Sequence, residues 1–84
     1  MISGSQIRAA RALLRWTPRM LADRAAVNLS DIYAIEESRR LAPRQRENLA
    51  SAQNALEAAG VEFIGDSYAP GVRLKTRRQM RSTL

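Results

Sequence analysis

Cysteine and histidine are both missing from these 84 residues. Without thiols no disulfide scaffold forms, and without thiol or imidazole the usual zinc sets cannot assemble. General acid–base work would fall to carboxylates. Those are scattered among solvent-facing helical positions, and no Gly-rich phosphate loop is present. An enzyme is therefore not expected, and no catalytic residue, cofactor or metal ligand is assigned. Aromatics are scarce: Trp16, Tyr33, Phe63 and Tyr68. The core must then be built mainly from Leu, Ile, Val and Ala, which suits small packed helices. No apolar run is long enough to span a bilayer, and the first residues lack an apolar signal core. The expectation is a cytoplasmic protein that does not engage membranes. Repeats and low-complexity segments are absent too.

What is abundant is arginine. Thirteen of the fourteen basic residues are Arg, and the formal charge is +6. Such a surface attracts phosphate at long range, and the guanidinium fork holds phosphate or guanine better than an ammonium does. The bland alternative is a solvated, arginine-preferring surface. The length allows one domain with one core, and a domain this small keeps much of its surface wet. A second copy of the chain would supply missing burial.

Helix punctuation is clear. Ser3-Gly4-Ser5-Gln6 fits a capping box, so a first helix starts near Gly4. Ile7, Ala10 and Leu14 form its buried stripe, with Arg8, Arg11 and Arg15 beside it. Trp16 ends this helix and packs between helices. Thr17-Pro18 restarts the chain as cap and first helical residue. Leu21, Ala22 and Ala25 face inward, and Val27 plugs the following turn. Asn28 caps a third helix, with Asp31 turned back toward the helix start. Ile32 and Ile35 anchor that helix, which ends near Ser38. Glu36 is expected to pair locally with Arg39 or Arg40, as an exposed pair of little weight. After the basic loop Arg39-Arg40-Leu41-Ala42-Pro43, a fourth helix buries Leu49, Ala52, Leu56 and Ala59. Gly60 stops it in the left-handed conformation. Val61 to Ile64 and Val72 to Lys75 read as two strands of a hairpin. Residues 76 to 84 read as a mobile basic tail.

The fold expectation is mainly α, with four to five repressor-like helices and a short C-terminal β-hairpin. Residues 1–60 form the helix-turn-helix unit, 61–75 the hairpin and 76–84 the tail. Two short helices joined by a tight turn of small residues are the arrangement that sets one helix into the major groove. Leu21-Ala22, Ala25-Ala26-Val27 and Ile32 through Ile35-Glu36 resemble the pattern of Xre-type, Cro-repressor-like helix-turn-helix regulators. The likeness covers roughly residues 5 to 58. The continuation, Leu56 to Ile64 followed by Gly71 to Leu74, looks like the tail of a small bacterial subgroup.

The resemblance implies double-stranded DNA as partner and assigns positions. Base-reading positions fall on Leu29, Ser30 and Ala34, with Asn28 and Tyr33 beside them. Ser30 hydrogen-bonds without much discrimination, while Leu29 and Ala34 offer only apolar contact, for example to a thymine methyl. The polar residue that usually opens the second helix is Pro18 here, so Thr17 and Arg19 are the phosphate contacts on that side. Arg39, Arg40 and Arg44 fill the basic positions after the third helix. The usual turn glycines are Ala26 and Ser38. The expected function is a transcriptional regulator, homodimeric on an inverted-repeat operator. The dimer element is the hairpin or, failing that, packing of fourth-helix faces between subunits. The alternative is a protein-binding regulator, an anti-activator or a toxin–antitoxin component, whose plain third helix docks a protein partner.

Overall fold

The computed structural model describes residues 2–37, 40–66 and 68–75. Four helices and one antiparallel hairpin follow in chain order: α1 (Gly4–Leu14), α2 (Pro18–Ala25), α3 (Leu29–Glu37), α4 (Pro43–Ala58), β1 (Val61–Ile64) and β2 (Gly71–Leu74). The mainly helical fold with a terminal hairpin is thus present. β2 starts at Gly71 and stops at Leu74, one residue earlier at each end than the pattern suggested. The proposed tail at 76–84 lies outside the described residues.

Each helix begins where its punctuation says. Ser3 and Gln6 exchange both bonds of the capping box at 3.2 and 2.9 Å. Thr17 Oγ1 accepts from Met20 N–H at 3.1 Å, and Pro18 stands first in α2. α1 stops at Leu14, so Trp16 lies beyond the helix rather than closing it. Arg15 takes the left-handed conformation there, φ 58. Ala26 does the same after α2, φ 56, and Gly60 after α4, φ 104. Only glycine adopts that region without a penalty, so Ala26 and Arg15 each store strain.

One core unites the elements. Ile7, Ala10, Leu21, Ala22, Ile32, Ile35, Leu49, Ala52, Leu56 and Val61 are buried in it. Val61 belongs to the hairpin, and Phe63 and Val72 pack against the same cluster. The hairpin is therefore seated on the helices. Gln6 fastens it: buried beside the cap, its amide Nε2 donates to Gly71 O at 3.0 Å and to Ile64 O at 3.4 Å. A capping residue thus also holds the turn end of the hairpin. Across the strands Arg73 donates to Glu62 at 2.8 Å. That bond holds the half-buried Glu62 carboxyl below its usual pKa.

Candidate nucleic-acid interface

The orientation of α3 is set from behind. Leu29, Ile32 and Glu36 recur at three- and four-residue spacing, which is one stripe of a helix. That stripe faces inward: Ile32 and Glu36 are buried and Leu29 packs partly against the core. Ser30 and Tyr33 fall on the adjoining side of the helix and are exposed, Tyr33 at 47%. Ala34 is half-buried beside them, and Asn28 is exposed before the helix. Of the five base-reading positions, then, Asn28, Ser30 and Tyr33 face solvent. Leu29 is partly buried and packs against the core beside Ile32.

The expectation for Glu36 is overturned. Its carboxylate is not an exposed group of little weight: the side chain is 4% exposed. Arg11 forks onto it from α1, with Nε to Oε2 and Nη2 to Oε1 both at 2.9 Å. The hydrogen bond to Glu36 holds the Arg11 pKa above its ordinary value against the opposing effect of burial. Arg11 also donates to the Trp16 carbonyl at 3.1 Å, and Arg8 approaches Glu36 at 3.6 Å. So Arg11 leaves the basic stripe of α1 and becomes a tie between α1 and α3. Sequence reading missed this because the partners lie 25 positions apart.

Gly4 shows how closely the two helices meet. A Cβ there would run into the Ile35 carbonyl oxygen and lie 2.8 Å from that of Glu36. The N-terminus of α1 is thus pressed onto the C-terminal carbonyls of α3, an attractive arrangement of helix dipoles.

Asp31 also differs from expectation. The Asn28 carbonyl accepts the first helical bonds, from Asp31 and Ile32 N–H at 3.0 and 3.2 Å. The Asp31 carboxylate turns to α4 instead, accepting from Gln45 Nε2 at 2.9 Å with Arg44 at 3.7 Å. This draws the one acid in the first turn of α3 into a local network and away from the exposed stripe.

The phosphate candidates are disposed around that stripe in sequence. Thr17 and Arg19 are exposed at the start of α2. Thr17 spends its oxygen lone pair on the cap, which leaves its hydroxyl hydrogen to donate. Arg44 opens α4 with 78% of its side chain exposed. Arg40 is exposed in the connection before it, whereas Arg39 lies outside the described residues. Arg40 also lines an open cleft of about 990 Å³ with Arg8, Arg46, Ser3 and Glu37. Arg46 was not singled out from sequence, although its i+2 spacing from Arg44 marks the same end of α4. Arg24 is occupied elsewhere, 5.0 Å over the Trp16 ring.

No helix among the described residues is long and apolar enough to cross a membrane. Searches with this sequence find no matching family model and no matching curated protein.

Proposed function

We propose that this chain is a sequence-specific double-stranded DNA-binding regulator of the Xre-like kind, with α3 as its recognition helix. The observation that carries the reading is the two-sidedness of α3. Its back is bolted to the core through Ile32, Ile35 and Glu36, and its front presents Ser30 and Tyr33 to solvent. A helix held that rigidly behind and left bare in front suits insertion into the major groove. Thr17, Arg19, Arg40 and Arg44 supply phosphate donors before and after it, which fix register without reading sequence. Base contacts from Asn28, Ser30 and Tyr33 are few, so DNA shape carries part of the specificity.

The second reading is a protein-binding regulator on the same scaffold. It is favoured by the composition of the exposed stripe, where the large groups are the aromatic ring of Tyr33 and the carboxylate of Glu37. One experiment separates the two. The protein is titrated against a random duplex pool with selection of tight binders, then against the selected site. Enrichment of a half-site motif that Ser30→Ala and Tyr33→Ala relax supports DNA reading. A pool that stays random after several rounds removes it and leaves the protein-docking reading.

A further inference from the structure

α4 meets the first turn of α3 through three polar side chains. Gln45 Nε2 donates to Asp31 Oδ1 at 2.9 Å, and Asn48 Nδ2 donates to Gln45 Oε1 at 3.2 Å. Arg44 Nη2 stands 3.7 Å from the same Asp31 oxygen. That distance is too long for a hydrogen bond, so only charge draws Arg44 there. Burial separates the roles. Gln45 and Asn48 are half-buried and the Asp31 side chain is 15% exposed, whereas the Arg44 side chain is 78% exposed. The amides therefore fix the carboxylate, and Arg44 attaches to it loosely from solvent.

The amide relay does not require a charge at position 31. Gln45 needs an acceptor, and an amide oxygen serves as well as a carboxylate oxygen. What the carboxylate adds is negative charge in the first turn of α3, one residue after Ser30. Phosphate repels that charge, and Arg44 is a cation that both anions can claim. An exposed ion pair is weak, while a guanidinium fork on phosphate is a charge-assisted contact of better geometry. Offered a duplex, Arg44 exchanges one anion for the other.

We propose that Asp31 is an internal competitor for duplex phosphate: it engages Arg44 in the free protein and yields it on binding, and so sets duplex affinity through Arg44. Asp31 is thus a positioning residue. It keeps the guanidinium close to the first turn of α3 and lowers affinity for selected and random duplexes alike. This deepens the DNA-binding reading and rests on it.

The test titrates the full chain with a duplex of random sequence at one fixed salt concentration. Asp31→Asn keeps the acceptor for Gln45 and removes the charge. It should bind about fivefold more tightly, the size of an exposed ion pair, with an unchanged urea midpoint. Asp31→Ala removes the acceptor as well, so it should show a similar gain at a lower urea midpoint. In an Arg44→Ala background the gain from Asp31→Asn should shrink to about twofold or less, because only direct repulsion of phosphate is left to relieve. A purely structural role for Asp31 would move the midpoint and not the coupling to Arg44. Unchanged or weaker binding by Asp31→Asn, or a gain undiminished without Arg44, overturns the proposal and leaves the DNA reading standing. If wild type and Asp31→Asn both ignore duplex, the two fall together.

Discussion

Glu36 is buried, and Arg11 meets both of its oxygens there. Such a pair adds little relative to an apolar one, since desolvation offsets attraction, but losing one partner strands a buried charge. Glu36→Ala should therefore cost roughly 3 kcal/mol or more in urea unfolding, well beyond the effect of an exposed pair. Arg11→Met with Glu36→Leu should recover most of that loss. If Glu36→Ala proves nearly neutral, the tie between α1 and α3 has little energetic weight. The sequence could not reveal this pairing. Glu36 sits four residues after Ile32, which marks a buried position, yet its charge argues for solvent. Only the arrival of Arg11 from another helix reconciles the two.

At the scale of elements, the turn between α2 and α3 carries the clearest defect. Ala26 occupies a left-handed position with φ 56, where its Cβ is strained. Ala26→Gly should stabilise the protein by roughly 1 kcal/mol, which for a domain of this size raises Tm by about 4–8 °C. An unchanged or lower Tm would mean that the lost Cβ contacts or the added chain entropy outweigh the relieved strain. This turn was readable beforehand, as were the starts of α1, α2 and α4, because capping is local chemistry over three or four residues. The far end of α1 was less readable. Arg15 rather than Trp16 takes the terminal position, a choice made where Trp16 packs against the core and Arg24 covers its ring. β2 likewise begins at Gly71, which pairs with Ile64 and whose carbonyl is also held by Gln6, some 65 positions away.

For the molecule as a whole, the +6 charge makes phosphate attraction long-ranged, but the individual arginines are not equivalent. Arg11 is internal, Arg24 lies over Trp16, and Arg73 is held by Glu62. Arg19 and Arg44 remain exposed, before and after α3 in the chain, Arg44 with 78% of its side chain exposed even though it lies 3.7 Å from Asp31. Each neutralised phosphate changes the salt slope of duplex binding by about one. Arg19→Ala and Arg44→Ala should each flatten that slope by about that amount and weaken all duplex sequences alike. Wild-type slopes in both variants would take these two residues out of the interface. Sorting tethered arginines from available ones needs coordinates, because all thirteen look the same in a list of letters.

The order of elements, their caps and the apolar residues that meet inside were written in the chain itself. Periodicity and capping act between neighbours, so they survive without any knowledge of the fold. Contacts between distant segments were decided only in three dimensions. Arg11 on Glu36, Gln45 on Asp31 and Gln6 on the hairpin all pair polar groups whose positions depend on how whole helices dock. A long polar side chain has many partners within reach, and packing of the apolar core selects among them. That selection also turned Leu29 inward and left Tyr33 outside, which determines the face α3 offers to a partner.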